Sequence, residues 1–412
     1  MHDARRSGLG PAAPGAGNVR QSWTAGLDAA MFASPVVAGG KVIAATENDT
    51  VYAFELASGR QLWQRHLGDP VSGGSLPCGN INPSGITATP AIDPDADAVY
   101  VSGFLNGSPP AHHLFALSLS DGGVRWDRVD DPPGLSALVE QQRGALSLGS
   151  GFVYVPFGGL YGDCGAFKGA LVGVPVSGSG DERAYVVPAR REGGIWAPPG
   201  ASRSDDGSLW VATGNAGTAA FDHGDAVVHL RSDLSEVDLW APSNWSALAA
   251  EDADVGSTTP ALLDAGLVFQ AGKSGIGYLL HGEHLGGIGG EAFSARVCPS
   301  QVEGGVAYAA PMLFLGCSAA GSVTALRLDT SATSFATAWT AGEGGETPIV
   351  AYGRIWSVSR GSNRLVVLDP ATGGLAGAWP IGSLAAHFTT PAAAGGRILV
   401  GGSSTLYCFT VA

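Results

Sequence analysis

A β-hairpin pattern that recurs along the chain constrains the fold more strongly than any other feature of the sequence. In its clearest copy, residues 51–63 read Val-Tyr-Ala-Phe-Glu-Leu-Ala-Ser-Gly-Arg-Gln-Leu-Trp. Side chains alternate between two faces, a turn follows, and a second strand begins just before the tryptophan. Similar segments occupy residues 114–126 and 365–379, with weaker copies at 227–240 and 323–339. Such self-similarity indicates a protein built from structural repeats.

Two further predicted strands precede each copy of the hairpin. The first is made of small residues and often follows Ser-Pro or Thr-Pro, as at Pro35 and Pro90. Proline is tolerated at the start of a strand because its missing N–H is not needed there. The second strand is rich in β-branched residues. Four antiparallel strands, with small residues innermost and aromatic residues outermost, are typical of a β-propeller blade, so the sequence predicts an all-β protein.

Counting these units predicts an eight-bladed ring that forms one domain over residues 19–412, after an N-terminal extension of residues 1–18. Seven whole blades are expected at 34–68, 89–130, 145–188, 197–243, 259–294, 305–342 and 347–382. The eighth would be split, with residues 390–412 supplying three strands and residues 19–29, which include Trp23, the outer strand. Pairing the two chain ends closes the ring and leaves no exposed strand edge.

The five cysteines predict up to two disulfides. Cys298 and Cys317 belong to one repeat and form the stronger pair, whereas Cys78 and Cys164 form a weaker pair between loops. Cys408 alternates with aromatic residues inside a strand and is expected to be buried and inert. We therefore expect a secreted or periplasmic protein, with reduced thiols in a cytoplasmic protein as the alternative. Residues 1–8 contain no apolar signal sequence, so an exported form would have lost its signal peptide.

Charge and hydropathy exclude some classes of partner. The formal charge is −14 and the isoelectric point is about 4.9, which disfavours binding to nucleic-acid phosphates. No apolar run is long enough to span a membrane. We expect a soluble monomer that binds neither nucleic acid nor the membrane interior.

The long, irregular connections belong to the first five predicted blades. They cover residues 68–87, 104–113, 127–143, 157–168, 190–198, 215–225 and 242–257. They are of two classes, loops that leave the outermost strand of a blade and loops that join its two middle strands. In a propeller both classes emerge on the same face, around a funnel. Long loops on one face of a rigid scaffold commonly carry function. The predicted site is therefore off-centre, over blades 1–5, while blades 6–8 mainly close the ring.

The repeat at residues 367–373, Val-Leu-Asp-Pro-Ala-Thr-Gly, followed by Trp379, resembles the propeller repeats of pyrroloquinoline quinone (PQQ) proteins. That superfamily includes the quinoprotein alcohol dehydrogenases and the lipoprotein scaffold of the outer-membrane protein assembly machine, both eight-bladed. The resemblance covers almost the whole chain. It is specific for the fold but not for the function, because one propeller supports many activities.

Several segments resemble the quinone site of the dehydrogenases. Residues 193–196, Gly-Gly-Ile-Trp, and 213–215, Thr-Gly-Asn, are similar to segments whose tryptophan stacks under the quinone and whose asparagine binds the metal. The resemblance implies that Trp196 is the stacking residue and Asn215 a metal ligand. Residues 251–254, Glu-Asp-Ala-Asp, resemble the segment of the catalytic base. There Asp252 would be the base and Asp254 an additional ligand of the lanthanide-type members.

Three further segments complete this resemblance. Residues 271–275 imply that Lys273 contacts the quinone, and residues 141–144 imply the same for Arg143. Asp163 lies one position out of register with the metal-binding glutamate of the family and is a second candidate catalytic carboxylate. Ala137-Leu138 replaces the adjacent cysteine pair of the family. The cofactors implied are PQQ with calcium or a lanthanide.

Each of these residues also has a simpler interpretation. Trp196 and Asn215 are also explained as loop anchors, and Asp252 and Asp254 as solvated carboxylates or a calcium clip. The histidines at 112, 113 and 223 with Asp222 form a weak candidate transition-metal set, because adjacent strand residues face opposite ways.

The departures from the family pattern favour a binding function. We expect a protein that binds a small-molecule or peptide ligand in the funnel. One alternative is a metal- and PQQ-dependent alcohol dehydrogenase of the quinoprotein type. Another is a non-redox acid–base enzyme that uses Asp252, Asp163 or a histidine in the same funnel.

Overall fold

The computed structural model describes residues 3–12, 17–217, 220–385 and 388–411 and shows eight sheets with antiparallel blades, arranged as a β-propeller. The first strand of the chain is β1 (Val19–Gly26). Blade 1 contains β2 (Val36–Ala38), β3 (Lys41–Thr46), β4 (Thr50–Glu55) and β5 (Gln61–His66). Blade 2 contains β6 (Ala91–Asp93), β7 (Ala98–Leu105), β8 (Ala111–Ser118) and β9 (Val124–Val129). Blade 3 contains β10 (Glu140–Gln141), β11 (Ser147–Gly149), β12 (Phe152–Gly159), β13 (Ala170–Pro175) and β14 (Arg183–Val186).

Blades 4 and 5 are linked by an extra strand. Blade 4 contains β15 (Ser202–Arg203), β16 (Leu209–Ala212), β17 (Val227–Leu230) and β18 (Glu236–Ala241), followed by the short helix α1 (Trp245–Ala250). Blade 5 contains β19 (Ala261–Leu262), β20 (Leu267–Ala271), β21 (Ile276–His281) and β23 (Phe293–Arg296). Between the last two, β22 (Gly287–Ile288) pairs in parallel with β18 of blade 4.

The remaining blades are regular. Blade 6 contains β24 (Val302–Ala309), β25 (Met312–Cys317), β26 (Ser322–Asp329) and β27 (Ser334–Ala341). Blade 7 contains β28 (Ile349–Ala351), β29 (Arg354–Ser359), β30 (Arg364–Leu368) and β31 (Leu375–Pro380). Blade 8 contains β32 (Ala392–Ala394), β33 (Arg397–Gly401) and β34 (Thr405–Val411). Short 3-10 turns lie at Gly73–Ser75, Val255–Ser257, Asp264–Gly266 and Arg360–Ser362.

Strand β1 closes the ring by pairing with β34. The register runs antiparallel from Val19 opposite Val411 to Gly26 opposite Thr405, with Trp23 opposite Cys408. The predicted eight-bladed, all-β fold and its split last blade are therefore confirmed.

Tryptophans of the outer strands join neighbouring blades. The indole Nε1 of Trp63 donates to the carbonyl oxygen of Leu119 in the next blade at 3.1 Å, and that of Trp23 donates to Leu56 at the same distance. Gly122, with φ +72°, lies so close beneath Trp63 that a Cβ atom there would be 2.6 Å from the ring. The repeated glycine is thus required both by the turn and by the approach of the indole.

Both predicted disulfides form, between Cys298 and Cys317 and between Cys78 and Cys164, and Cys408 is buried and free. The disulfide between Cys78 and Cys164 joins the loop at 68–87 to the loop at 157–168. Within the described ranges, no helix is both long and apolar enough to cross a bilayer.

The N-terminal segment, residues 3–12, crosses the central channel along the inner strands of the blades. Backbone hydrogen bonds join Gly8 and Gly10 to Val350 of blade 7, and Ala4 to Arg203 of blade 4. The buried Arg6 guanidinium donates to the Leu146 and Ala201 carbonyl oxygens and to Ser147 Oγ. The segment borders two cavities, of about 320 and 270 Å³, at this end of the channel. Nothing in the sequence pattern indicated this crossing.

Candidate functional site

A cavity of about 350 Å³ lies at the other end of the channel, where the long loops converge. The seven residues that the resemblance to the quinone site singled out all line it: Asp163, Asp252, Asp254, Asn215, Trp196, Arg143 and Lys273. The fold therefore brings together side chains that are up to 130 positions apart in the sequence (143 to 273). This proximity does not by itself assign their roles.

Glycines around Trp196 allow close packing at the floor of the cavity. The segment that carries it is held by two backbone hydrogen bonds, from Ile195 to Phe157 at 3.0 Å and from Gly214 to Gly194 at 2.9 Å. A Cβ atom on Gly158 would lie 3.0 Å from Trp196 Cβ, so a larger residue would require one of the two segments to shift by a few tenths of an ångström. The Gly-Gly-Ile-Trp and Thr-Gly-Asn segments thus pack against each other.

Lys273 lies between two carboxylates. Its Nζ is 2.7 Å from Asp254 Oδ2 and 2.9 Å from Asp252 Oδ1, and 5.5 Å from the ring centroid of Trp196. Asp254 Oδ1 accepts the backbone N–H of Asn215 at 2.7 Å. Burial alone would lower the pKa of Lys273, but the two carboxylates outweigh it and raise the pKa above its ordinary value. The ammonium group is therefore fully charged at neutral pH.

Arg143 forms the second cationic centre of the cavity. Its Cζ lies 4.7 Å from the ring centroid of Phe388 and 5.6 Å from that of Phe32. Burial lowers the pKa of Arg143 to about 10, against the opposing charges of Glu47 and Glu346, so it remains charged at neutral pH. The carboxylate of Glu346 also accepts the backbone N–H of Phe388 and so holds that ring over the guanidinium.

Phe32, Phe388 and Glu303 were missed by the sequence analysis. Phe388 and Glu303 come from the blades that were expected mainly to close the ring, so the cavity is less off-centre than predicted. Phe388 also faces Trp196, with ring centroids 5.9 Å apart and planes tilted by 51°. Phe32 and Phe388 each lie three positions before the proline that opens an inner strand, a shared register that would have identified them.

The rim of the cavity is braced by the disulfide between Cys78 and Cys164. Beside it, Tyr161 is 71% exposed and Asp163 is held with φ +50°. Partial desolvation raises the pKa of the Asp163 carboxyl group, and the negative charges of Asp254 and Asp252 act in the same direction. The neutral form of this carboxyl group is thus favoured relative to that of a fully solvated aspartate.

The histidines do not form the transition-metal set that the sequence allowed. His112 is buried and its Nδ1 lies 2.8 Å from Asp131 Oδ1, whereas His113 pairs with Asp127 and His223 with Glu236. Over the described part of the chain, no group of three or more His, Cys, Asp or Glu side chains is arranged to hold a metal ion.

The arrangement around Lys273 does not fit a metal-bound quinone. Calcium takes six to eight oxygen ligands, typically with several carboxylates. Here both oxygens of Asp254 are engaged, one by Asn215 and the other by Lys273, and the ammonium group lies between the two carboxylates. A metal ion at this point would have to displace Lys273. We therefore derive no chemistry through PQQ or a metal.

Solved structures of similar fold come from different functional classes. A quinohemoprotein alcohol dehydrogenase from Comamonas testosteroni shares 15% identity at a TM-score of 0.74, covering 99% of this chain and 79% of its own. BamB from Moraxella catarrhalis shares 14% identity at 0.63, covering 96% and 98%. A europium-containing methanol dehydrogenase shares 12% identity at 0.69, covering 95% and 93%. At these identities the likeness shows the fold alone.

Sequence comparison gives the family. No curated protein sequence matches the chain significantly. A family model described as outer membrane protein assembly factor BamB, built on PQQ-like repeats, matches residues 16–222, which is half of the chain. The chain belongs to this PQQ-like family of β-propellers.

Proposed function

We propose that this protein is an exported propeller that binds a small-molecule or peptide ligand in the cavity above the channel. The observation that carries the proposal is the composition of one cavity of about 350 Å³, in which Trp196, Phe388 and Phe32 stand beside the fixed cations Arg143 and Lys273. Its size lies within the range of ligand sites, which is roughly 300–1,000 Å³, and such sites combine apolar walls with a few placed polar groups.

The contacts within the cavity support binding because its polar groups are already held in place. The Lys273 ammonium has three N–H donors, and Asp252 and Asp254 account for two of them. The rings of Trp196 and Phe388 are inclined to each other and offer faces against which a flat or aliphatic group can pack. Groups that are fixed before binding lower the entropic cost of association.

Export is supported by the two disulfides. Such bonds persist in oxidising compartments and are rare in the reducing cytosol. The proposal expects that protein isolated from its native cells in the presence of a thiol-blocking reagent is labelled on Cys408 alone after unfolding. Labelling at Cys78 or Cys298 would contradict export.

Binding is tested by screening small molecules and peptides against the whole chain by thermal shift and measuring the dissociation constants of the hits calorimetrically. We expect Trp196→Ala to weaken a hit by roughly tenfold, which corresponds to about 1.4 kcal/mol, because it removes the aromatic floor. Trp379→Ala is the matched control, since it removes an indole from the outer strand β31 of blade 7. Hits that bind both variants equally well would contradict the proposal, as would a screen that yields no hit.

A further inference from the structure

We propose that Lys273 supplies the positive charge of this site in place of a metal ion, so that the cavity binds an uncharged ligand with an acceptor oxygen and needs no metal. The ligand class rests on the proposed binding function. The replacement of the metal ion is a property of the chain itself and is tested separately.

The position of the ammonium group carries the first step. Asp254 is 3% exposed, and a buried carboxylate is stable only when an opposite charge or several hydrogen bonds compensate it. Lys273 Nζ provides that charge at 2.7 Å and at the same time holds Asp252 at 2.9 Å. The backbone reinforces the pair, because Lys273 N–H donates to the carbonyl oxygen of Asp254 at 2.9 Å. Two carboxylates that could otherwise draw in a divalent cation are thus already paired.

The surroundings of the ammonium group keep it in this position. The Lys273 side chain is 15% exposed and its Nζ lies over the Trp196 ring, 5.5 Å from the centroid. Lysine readily rotates into solvent when it is exposed, but here rotation would leave Asp254 buried without its counter-charge. Breaking such a buried pair is strongly destabilising because it leaves an uncompensated buried charge.

The charges lining the cavity indicate the class of ligand. Among the described lining residues, the four carboxylates of Asp163, Asp252, Asp254 and Glu303 outnumber the two cations, Arg143 and Lys273. This excess disfavours a ligand with several negative charges, such as a polycarboxylate. An uncharged ligand that presents a carbonyl or hydroxyl oxygen to the remaining ammonium N–H, and a flat face to Trp196, suits both features.

Terbium luminescence provides the test of the metal replacement, because bound Tb³⁺ is excited by energy transfer from a nearby tryptophan and Trp196 is beside the carboxylates. We expect wild-type protein and Asp254→Asn to give the same terbium titration. Lys273→Ala frees the two carboxylates and is expected to gain a saturable signal, at least fivefold above wild type. The double variant Lys273→Ala with Asp254→Asn should lose that gain.

Two control variants accompany this experiment. Lys273→Arg keeps the positive charge and should resemble wild type, and Lys41→Ala removes a lysine from β3 of blade 1 and should not gain a signal. A saturable terbium signal in the wild type that disappears in Asp254→Asn would overturn the proposal. This comparison does not require Lys273→Ala to fold. A folded Lys273→Ala protein without a gained signal would overturn it as well.

The hits of the binding screen test the ligand class. Their dissociation constants should change less than twofold when EDTA is added, and uncharged oxygen-bearing compounds should bind at least tenfold more tightly than PQQ. A hit that loses tenfold affinity in EDTA, or a preference for PQQ, would overturn this inference and leave the proposed binding function standing. A screen without hits would contradict the binding function, whereas the terbium titrations would still decide the role of Lys273.

Discussion

The buried carboxyl group of Glu47 makes the stability of the protein depend on pH in a predictable direction. Glu47 is 1% exposed, and its Oε2 accepts the backbone N–H of Gly85 at 2.8 Å and the hydroxyl of Thr87 at 3.1 Å. Burial raises the pKa of Glu47 from 4.5 to about 7, although these two hydrogen bonds and the charge of Arg143 act in the opposite direction. The folded protein thus keeps a proton on Glu47 that the unfolded chain releases.

The sign and size of the effect follow from this difference. Below pH 4.5 both states hold the proton, and above pH 7 neither does, so stability falls as the pH rises through the window between these values. One pKa unit corresponds to ~1.4 kcal/mol, and the rise from 4.5 to about 7 therefore removes about 3 kcal/mol between pH 4 and pH 8. Other buried carboxyl groups contribute in the same direction, among them Glu346, whose pKa is also raised to about 7 by burial.

Urea denaturation of Glu47→Gln at pH 4, 5, 6, 7 and 8 measures the effect. Glutamine does not ionise, so the loss of stability between pH 4 and pH 8 should be smaller than in the wild type by about 3 kcal/mol. The control is Glu283→Gln, because Glu283 is exposed in the connection between β21 and β22 and the substitution changes the formal charge equally. Parallel pH profiles of Glu47→Gln and wild type would refute the reasoning.

Two other features of the fold give testable expectations. In the Gly122→Ala variant the new Cβ would meet the Trp63 ring. We expect the free energy of unfolding, measured in urea, to fall by about 1–3 kcal/mol more in this variant than in Gly39→Ala. Gly39 has a similar φ of +55° but open space around it. Equal losses would show that backbone strain alone matters. Arg6→Ala should release the N-terminal segment and expose it to limited proteolysis. Arg5→Ala removes only an exposed, solvent-screened ion pair with Asp205 and should not. Equal cleavage of both variants would contradict the anchoring role of Arg6.

The fold could be predicted from the sequence because each blade repeats the same local signals. The hairpin at 51–63, the proline before each inner strand and the tryptophan of each outer strand are short-range patterns, and their number gives the number of blades. The pairing of residues 19–26 with residues 405–411 followed from the same count, because the last unit lacked an outer strand. Repetition thus allows a long-range contact to be predicted from local patterns.

The candidate site could be predicted only in part. Trp196, Asn215 and Asp252 were found because their neighbours resemble known segments, but the pairing of Lys273 with both aspartates depends on side-chain conformations that no sequence pattern encodes. Phe388 shares with Phe32 its place three positions before a strand-opening proline, but its contact with Arg143 depends on a hydrogen bond to Glu346 of the preceding blade, which no such pattern encodes. The crossing of the channel by residues 3–12 has no periodicity from which it could be recognised.

That crossing has a consequence for how molecules reach the cavity. Residues 3–12 are bound to blades 4 and 7 and border two cavities at one end of the channel, so a molecule that approaches from this end meets the segment first. The long loops line the cavity at the other end, and we expect a ligand to enter and leave past them.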